Sequence, residues 1–557
     1  MKFLYSKMIE ILSQHNVEHI FGIVGDAINP MVEAIRKQDK IKFIHMVHEE
    51  SGAFAASAAS KLTGNLQVCA GTVGPGAIHL LNGLYDAKKD HTPVLAILGQ
   101  VPTPFIGTDY HQEVHLASVF EHVAVYSAEI TDKSQFPYVF SEACNTAIGE
   151  KGVSVIIIPH NIGSVKVEDE KSGVIEKEEM GMINPRPERL RKVIDLINTE
   201  ESISILAGEG CRNSKEEVLA LARKINAPII TSLRAKDIFH YRDEMVAGGL
   251  GLLGSRSGVY AMNECDVLLV LGSDFPYRDW YNQEAQIVMI DNKASAMGHR
   301  VNDIYTVHSD VLPAVEILLN NVEIKKDKIH LDETLKTKKL WDKFLHWQES
   351  ADRSKDTIHP QTLSKTISEV ADHNAIFTCD TGEVTAWAAR HLYLRGEQRF
   401  SASFNLASMA YAMPAAIGAS LTYPDRQVIS LSGDGGFNML MGDFLTAIKY
   451  KLPIKVVIFN NHKLGLIKNE QEVEGYPEFE TGLVNPEYKL LAEALGGKGF
   501  KVTKPTDLEI TLKEAFTLHE PVIVDVEINP DELTLPPKIT AKQAMGFGLA
   551  KIKELFE

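Results

Sequence analysis

The chain has 557 residues, enough for three or four domains at roughly 150 residues each. Its 57 Lys and Arg residues against 74 Asp and Glu residues give a net charge of −17, which argues against nucleic acid as a partner. A content of 45% apolar and 24% charged residues is typical of a folded globular protein and excludes a disordered or low-complexity chain.

The N-terminus has charged residues every few positions, unlike the apolar stretch of a signal peptide. Nowhere does the sequence approach the roughly 18 consecutive apolar residues of a membrane span. The 5 cysteines are scattered without a CxxC pair, which argues against a disulfide framework or a thiolate metal site. We therefore expect a cytoplasmic protein, or one held peripherally at the inner membrane face.

Short Val, Ile and Leu runs alternate with segments of helix length along most of the chain. Continuous apolar strands between helices predict parallel sheets that are covered on both faces. The clearest strand candidates, in chain order, are 153–159, 203–208, 267–272, 287–291, 427–433 and 454–461. The predicted class is α/β, with three doubly wound parallel-sheet domains of which the middle one is Rossmann-like.

Two charge-rich stretches, about 160–200 and 320–360, interrupt this alternation and are predicted to connect domains. The second is expected to be helical. The predicted divisions are a first domain at 1–165, a central domain at 185–325, a helical linker at 326–360, a third domain at 361–535 and a C-terminal tail at 536–557.

Two segments far apart in the chain resemble each other. Segments 68–98 and 428–459 each read as a strand, a Gly-x-Gly turn, a helix, a proline and a second strand. A glycine of the turn precedes the proline by 19 residues in the first segment and by 20 in the second. The first and third domains are therefore predicted to be related to each other and to flank a different middle domain.

The middle domain carries a possible nucleotide-binding pattern. Gly208 and Gly210 form a Gly-x-Gly turn between a strand and a helix, and a later strand ends in Asp291. Such a turn lets the backbone approach a pyrophosphate, and an acid at a strand end accepts hydrogen bonds from ribose hydroxyls. Asn213 stands where the third glycine of the fingerprint would be. Taken alone, the pattern favours a turn without a ligand.

The third domain carries a candidate metal and phosphate site. Gly433-Asp434-Gly435 follows a strand and opens a helix, so backbone N–H groups and the positive end of the helix would face a phosphate. Asn461 follows the next strand along the chain. Since the carboxyl ends of parallel strands meet at one edge, Asp434 and Asn461 are predicted to supply oxygen ligands to one Mg²⁺ ion. A GDG sequence by itself is more often a turn than a ligand.

GDG followed by the Asn460-Asn461 pair resembles the diphosphate motif of thiamine-diphosphate-dependent enzymes. The segment VHEESGAFAASAASKLTG is similar to the glutamate-bearing segment of that superfamily's first domain, and the resemblance extends across nearly the whole chain. Four further segments resemble the flavin-dependent pyruvate oxidase group, which includes the quinone-linked pyruvate dehydrogenases: DFPYR (274–278), CDTG (379–382), SFNLASMAYAMP (403–414) and GDGGFNMLMGDF (433–444). The resemblance implies a pyrimidine-binding first domain, an FAD-binding central domain and a diphosphate-binding third domain.

The resemblance also implies roles for single residues. Glu49 matches the glutamate that hydrogen-bonds the aminopyrimidine ring of the cofactor and serves in proton transfer. Without the other motifs, it would be read as one of the acids favoured at a helix N-terminus. Catalytic roles near the substrate are implied for His79, Gln112 and Glu470.

The implied thiamine diphosphate contacts lie mostly in the third domain. Met409 matches the large apolar residue that holds the cofactor in a bent form, and the Lys463 carbonyl is expected to join Asp434 and Asn461 as a Mg²⁺ ligand. His111 and Leu466 stand where relatives carry phenylalanine, so the resemblance does not determine the shape of this pocket wall. The full set is Glu49, Ala407, Ser408, Met409, Gly433, Asp434, Gly435, Asn461, Leu464, Gly465, Leu466 and Ile467.

For the middle domain the resemblance implies FAD. The implied contacts are Gly208, Gly210, Gly251, Leu252, Leu253, Gly254, Asp274, Phe275, Pro276, Tyr277, Arg278 and Asp291. Arg278 is expected to pair with a phosphate.

The function that the resemblance implies is oxidative decarboxylation of pyruvate with thiamine diphosphate, Mg²⁺ and FAD. Electrons would pass from FAD to quinone, with acetate and CO₂ as products, or to oxygen, with acetyl phosphate and H₂O₂ as products. Two alternatives stay open. One is carboligation of the acetolactate synthase type, in which FAD is bound but not reduced, and the other is a non-catalytic cofactor-binding protein.

The resemblance further implies a homotetramer in which the first domain of one subunit and the third domain of another share each active site. The tail has its own pattern, because Met545, Leu549, Ile552 and Phe556 would share one face of a helix. That face predicts either a short helix on a membrane surface or a helix docked on the body of the protein.

Overall fold

The computed structural model describes residues 2–168, 181–301, 303–350, 356–534, 536–538 and 541–556. It has three six-stranded sheets, and every pair of neighbouring strands in them is parallel. The predicted class, α/β with three parallel-sheet domains, is confirmed, whereas the predicted domain boundaries stay a prediction.

In the first domain the described residues form eight strands and eight α-helices. The strands are β1 (Lys2–Phe3), β2 (His19–Gly22), β3 (Lys42–His45), β4 (Gln67–Gly71), β5 (Val94–Gln100), β6 (Ala124–Glu129), β7 (Val153–Pro159) and β8 (Lys166–Val167). The helices are α1 (Leu4–Gln14), α2 (Asn29–Arg36), α3 (Glu49–Thr63), α4 (Pro75–Ile78), α5 (Leu81–Lys89), α6 (Leu116–Phe120), α7 (Phe136–Glu150) and α8 (His160–Gly163). The main sheet has the order β3-β2-β4-β5-β7-β6, and β1 pairs with β8 in a separate antiparallel ribbon.

Both faces of this sheet are buried, as its apolar sequence requires. Successive side chains of a strand point to opposite faces, and in β4 Cys69 enters one apolar cluster while Val68 and Ala70 enter another. Cover on both faces is what allows a strand such as β7, VSVIIIP, to be apolar without alternation.

Within residues 181–301 and 303–321, the middle domain has six strands and four α-helices. The strands are β9 (Ile203–Ala207), β10 (Ile229–Thr231), β11 (Val246–Gly249), β12 (Val267–Leu271), β13 (Gln286–Asp291) and β14 (Ile304–His308). The helices are α9 (Pro187–Thr199), α10 (Lys215–Ile225), α11 (Arg256–Asn263) and α12 (Val311–Asn321). The order β11-β10-β9-β12-β13-β14 is that of a Rossmann sheet, as predicted. The charged helix α13 (Ile329–Gln348) then leads to the third domain.

The third domain and the tail complete the chain. The strands are β15 (Ile376–Cys379), β16 (Arg399–Ala402), β17 (Val428–Gly433), β18 (Lys455–Asn460), β19 (Lys498–Val502) and β20 (Val522–Glu527). The helices are α14 (Pro360–Val370), α15 (Glu383–His391), α16 (Ala412–Thr422), α17 (Asp434–Leu440), α18 (Phe444–Tyr450), α19 (Gly465–Glu474), α20 (Tyr488–Ala494), α21 (Pro505–Thr517) and α22 (Ala541–Phe556).

The strand order of the third sheet is β16-β15-β17-β18-β20-β19. When the six strands of the main sheet are numbered within each domain, the first and third domains have the same order, 2-1-3-4-6-5. This agreement confirms the predicted relationship between the two domains.

The first and third domains are joined through helices α3 and α16. A Cβ atom on Gly418 of α16 would lie 2.3 Å from the carbonyl oxygen of Ala55 in α3, so the two backbones are in close contact. This close packing explains why α3 is rich in alanine and serine and is buried along almost its whole length. The two domains consequently share one apolar core.

A buried charge cluster reinforces the same junction. The Lys61 Nζ atom lies 2.7 Å from Asp86 Oδ2 and 2.6 Å from Asp90 Oδ2, and it donates to the Ala402 carbonyl at 2.9 Å. Burial opposes the charge on Lys61, but the two carboxylates outweigh it and raise the pKa of the amine above its usual value. Asp90 in turn accepts from the backbone N–H of Asn405 at 3.0 Å.

Replacing Lys61 with methionine is expected to lower the free energy of unfolding by about 3–5 kcal/mol, because it leaves two buried carboxylates without their cation. Urea denaturation of the variant measures the loss, with Lys40→Met, which removes an exposed lysine, as the matched control. Equal denaturation midpoints for the two variants would show that the cluster does not stabilise the domain junction.

The C-terminal helix α22 packs on α19. Lys551 donates to Glu472 Oε1 at 2.6 Å, and a Cβ on Gly546 would meet the carbonyl oxygen of Val473. Met545 and Leu549 are 76% and 49% exposed, whereas the side chains of Ile552 and Phe556 lie outside the described residues. In the described ranges, no helix combines the length and apolar character that crossing a bilayer requires.

Candidate active site

The candidate metal site lies at the carboxyl ends of β17 and β18, which are neighbours in register with Gly433 opposite Phe459. Asp434 is the first residue of α17 and is 2% exposed. Its Oδ2 atom accepts a hydrogen bond from Asn485 Nδ2 at 2.7 Å. Burial raises the pKa of Asp434 despite this donor.

Asn461 follows β18 and is 6% exposed. Its Oδ1 atom accepts from the backbone N–H of Lys463 at 3.0 Å, and its Nδ2 atom donates to Glu383 Oε2 at 3.0 Å. Asp434 and Asn461 therefore lie at one sheet edge, as predicted, but their hydrogen bonds go to two different partners, Asn485 and Glu383. The carboxylate, amide and carbonyl oxygens present are the donor types that suit Mg²⁺.

Glu383 is a half-buried acid that the sequence motifs did not identify. It is the first residue of α15, directly after CDTG, at the end of the strand next to β17. It accepts from Asn461 and, at 2.7 Å, from Asn469 Nδ2. Burial raises the pKa of Glu383 to about 7. A Cβ on Gly465 would lie 2.1 Å from its Oε2 atom, so glycine at that position allows the carboxylate to reach the loop after β18.

Replacing Glu383 with glutamine is expected to weaken Mg²⁺ affinity about tenfold, because glutamine is neutral and has one side-chain acceptor oxygen for two amide donors, so Asn461 loses its fixed orientation. Metal titration followed by calorimetry measures the change. Glu397→Gln, which alters an exposed acid of the same domain, is the control. Unchanged metal affinity in Glu383→Gln would show that Asn461 does not need this partner.

The segment around Met409 has a strained backbone. Ala407 and Ala410 adopt φ values of 57° and 66°, in the left-handed region that residues other than glycine rarely occupy. Such conformations cluster at functional sites, where the surrounding structure holds them. A Cβ on Gly435 would lie 3.4 Å from Met409 Cε and 2.9 Å from Leu464 Cδ2, so these predicted cofactor contacts come together at the GDG turn.

Glu49 is the first residue of α3 and is 7% exposed. Its Oε2 atom lies 3.0 Å from His79 Nδ1, and His79 stacks on His48 with 4.5 Å between the ring centroids. A Cβ on Gly76 would lie 3.0 Å from the other Glu49 oxygen, so the helix turn at residue 76 closely approaches the carboxylate. The structure thus brings together Glu49 and His79, two of the predicted catalytic residues.

The other two predicted catalytic residues, Gln112 and Glu470, have exposed side chains. Gln112 has a φ of 63° and its carbonyl oxygen would lie 2.8 Å from a Cβ on Gly74, which places it over that turn. In the described parts of the chain, no side-chain hydrogen bond links Gln112 or Glu470 to Glu49 or His79. His111 and Ile467 are also exposed and Leu466 is half-buried.

A hydrogen-bonded chain connects the first-domain residues to the third domain. Asn82 Nδ2 lies 2.7 Å from Glu50 Oε1 and 3.0 Å from Ser408 Oγ. The backbone N–H of Val47 donates to Asp443 Oδ1 at 2.9 Å. The start of α3 is therefore anchored next to Met409.

The predicted flavin residues follow the carboxyl ends of the middle-domain strands, where open α/β sheets bind ligands. At the switch point between β9 and β12, a Cβ on Gly208 would lie 2.2 Å from the Gly272 carbonyl oxygen. The two loops are thus in contact, with Gly272 at a φ of 53°. The next residue, Ser273, has a buried hydroxyl with no hydrogen-bond partner in the described part of the chain, which fits a ligand polar group at this point.

The remaining flavin candidates lie around this crevice. Gly251 packs on the rings of Phe275 and Tyr277, and Asp291 ends β13 with its pKa raised by burial. Asp274 accepts from Asn405 of the third domain at 3.3 Å. Exposed members are Leu252, Pro276, Tyr277 and Arg278. Rossmann topology, an unpaired hydroxyl and a strand-terminal acid together fit a dinucleotide.

Comparison with known proteins gives three family matches. Residues 4–119 match the N-terminal TPP binding domain of thiamine pyrophosphate enzymes, residues 190–318 the central domain, and residues 380–526 the C-terminal TPP binding domain. Thiamine pyrophosphate and TPP are other names for thiamine diphosphate.

Three relatives illustrate the range of similar proteins. A Bacillus subtilis protein, YdaP, provisionally named as thiamine pyrophosphate-containing, is 40% identical over 99% of this chain and 96% of its own. Pyruvate oxidase of Lactiplantibacillus plantarum is 30% identical over 94% and 88%. A protein of Methanocaldococcus jannaschii, named as a probable acetolactate synthase large subunit, is 31% identical over 94% and 92%.

Proposed function

The chain belongs to the thiamine pyrophosphate enzyme family, and from this we propose that it decarboxylates pyruvate oxidatively with thiamine diphosphate, Mg²⁺ and FAD. When bound, thiamine diphosphate supplies the electron sink for loss of CO₂ from a 2-oxo acid, and FAD accepts two electrons. The substrate class is supported by the relatives named for pyruvate and acetolactate chemistry.

The observation that carries the proposal is one short segment, 403–410, which contacts both predicted cofactor regions. Asn405 in this segment donates to Asp274 of the predicted flavin segment at 3.3 Å. Four residues later, Met409 reaches the GDG turn. A reaction that passes electrons from one cofactor to the other needs the two sites to be neighbours, and a segment that contacts both predicted regions supports this arrangement.

Each group of site residues would have its own role. Asp434, Asn461 and the Lys463 carbonyl would hold Mg²⁺, and Met409 with Leu464 would exclude water from the diphosphate turn. Glu49 would hold and move a proton at Oε2, with His79 Nδ1 within hydrogen-bond distance of that atom.

Residues that are exposed or half-buried in the single chain would form the wall of the substrate pocket. Gln112 and Glu470 would face pyruvate, and His111 and Leu466, in place of phenylalanines, would make the wall more polar and wider. Along the middle-domain crevice, the twelve predicted flavin residues would be joined by the Ser273 hydroxyl as a donor to FAD.

Carboligation of the acetolactate synthase type is the second candidate. It is favoured by the 31% identity to the Methanocaldococcus jannaschii protein, which is close to the 30% identity to pyruvate oxidase. Product analysis separates the two. With quinone, or with oxygen plus phosphate, the oxidase proposal predicts acetate or acetyl phosphate in amounts equal to CO₂, whereas acetolactate as the main product would reject it. The acceptor that supports turnover, quinone or oxygen, is the one that receives electrons from FAD.

We also propose that the working form is a homotetramer with active sites shared between subunits. Large apolar side chains around the diphosphate turn are uncovered in the single chain, including Val484 at 100% exposure and Phe479 at 72%. Apolar surface of this kind is typical of an interface. Light scattering of the purified protein tests the assembly, and a monomer that is fully active would exclude it.

A further inference from the structure

A cavity of about 590 Å³ lies where the middle domain, helix α13 and the third domain meet. The middle domain contributes the loops after β10 and β11, α13 contributes Lys338, Trp341 and Leu345, and the third domain contributes α14 and the end of α15. This volume falls within the range of roughly 300–1,000 Å³ of small-molecule sites. Of the twelve predicted flavin residues only Leu253 and Gly254 line it, so it is largely separate from the flavin crevice.

The lining is strongly basic, although the chain as a whole has a net charge of −17. Its basic side chains are Lys236, Arg242, Lys338, Lys365, Arg390 and Arg395. Two acidic side chains, Asp342 and Glu369, accompany them. The cavity therefore has a local excess of positive charge, which attracts anions.

Most of these cations are held by neutral carbonyl groups and not by carboxylates. Lys338 donates to the Val246 carbonyl at 2.7 Å, and Lys236 donates to the Ala389 carbonyl at 3.0 Å. Among the described residues Lys365 forms an ion pair, with Glu369, whereas the other five basic residues form none. Burial lowers the pKa of Lys236 to about 8 and also lowers that of Lys338, because the nearby carboxylates, Asp237 for Lys236 and Asp342 and Asp243 for Lys338, offset the loss of solvation only in part.

Arg390 has a free donor at this site. Its NH2 group donates to the Leu252 carbonyl at 2.9 Å, while its Nε atom is buried with no hydrogen-bond partner in the described part of the chain. The planar guanidinium fork is suited to a phosphate oxygen. Buried donors without a partner are rare, so the unused Nε–H indicates a missing acceptor.

Aromatic rings form part of the same wall. The guanidinium carbon of Arg390 lies 6.0 Å from the ring centroid of Trp341. Tyr241 and Tyr393 contact each other, with 5.0 Å between their ring centroids. Flat rings beside several cations are complementary to a ligand that has both a planar base and phosphate groups.

We propose that this cavity is a binding site for a nucleotide with two or more phosphate groups, distinct from the thiamine diphosphate and flavin sites. The phosphates contact Lys338, Arg242 and Arg390, and the base lies against the aromatic wall. Because the cavity joins three parts of the chain, the bound nucleotide stabilises their arrangement.

The test is equilibrium dialysis of ATP, ADP and pyrophosphate with the complete enzyme saturated with thiamine diphosphate, Mg²⁺ and FAD. We expect one ATP per chain, and pyrophosphate to bind more weakly than ADP because it has no base. Replacing Lys338 with glutamine removes a charged donor and is expected to weaken ATP binding at least about tenfold. Lys339→Gln, which alters the exposed neighbour on the same helix, is the matched control and should bind as the parent does.

Arg242→Gln is a second variant for the case that Lys338→Gln fails to fold, because Arg242 is exposed at the mouth of the cavity. Three results would overturn the proposal: no saturable binding of any probe at millimolar concentration, equal ATP affinity in the Lys338 and Lys339 variants, or release of FAD or thiamine diphosphate by ATP. Pyrophosphate that binds as tightly as ADP would overturn the role of the base.

Discussion

Glu49→Gln is expected to lower turnover by about a hundredfold to ten-thousandfold, the usual contribution of a positioned acid or base. Glutamine has the same size and can still contact His79, but it cannot gain or lose a proton. Substrate and cofactor affinities should change much less than turnover, since the shape of the site is kept. The direct readout is the rate of deuterium exchange at C2 of bound thiamine diphosphate, followed by proton magnetic resonance.

The neighbouring acid provides a matched control. Glu50 is the second residue of the same helix and accepts from Asn82 at 2.7 Å, a contact that glutamine preserves through its carbonyl oxygen. Glu50→Gln should therefore exchange the C2 proton at a rate close to that of the parent. If Glu49→Gln also exchanged at the parent rate, Glu49 would not be the proton-transfer group, and the reaction assigned to this site would be wrong.

Asp434→Asn is expected to weaken Mg²⁺-dependent binding of thiamine diphosphate by at least about a hundredfold. Even residues that only support a metal ligand typically change metal affinity by about 10–100-fold, and Asp434 is the proposed carboxylate ligand itself. The change keeps the volume of the side chain and removes its charge, in a pocket where 2% of the residue is exposed. Calorimetric titration of thiamine diphosphate with and without Mg²⁺ measures the effect.

Asp425→Asn removes an exposed carboxylate from the turn before β17 in the same domain and serves as the control. It should bind the cofactor as the parent does. Should Asp434→Asn retain both the affinity and its dependence on Mg²⁺, the metal would have to be held elsewhere, and the assignment of the GDG turn would fail.

Local sequence patterns were sufficient to predict the three sheets. Continuous apolar strands such as β7 are stable only when both faces of a sheet are covered, so each one indicates a parallel sheet. The repeat of strand, glycine turn, helix, proline and strand predicted that the first and third domains are related, and their identical strand orders confirm it. The position of Asp434 beside Asn461 followed from the rule that parallel strands end at a common edge.

Other parts of the candidate site depend on long-range packing. Asn485 contacts Asp434 across 51 residues of sequence, and Glu383 contacts Asn461 across 78. Neither pair has a local spacing that could reveal it. A signal for Glu383 did exist, because it directly follows CDTG and begins a helix at a strand end. The basic cavity was not predictable, since its walls come from three separate parts of the chain.

The measurement that tests the proposed function most directly is the visible absorption spectrum of the purified protein with thiamine diphosphate and Mg²⁺, recorded without oxygen before and after addition of pyruvate. The proposal predicts a flavin band that bleaches with pyruvate and returns when quinone or oxygen is admitted. A flavin band that persists with pyruvate, or a protein that binds no flavin, would contradict it and direct attention to acetolactate formation or simple decarboxylation.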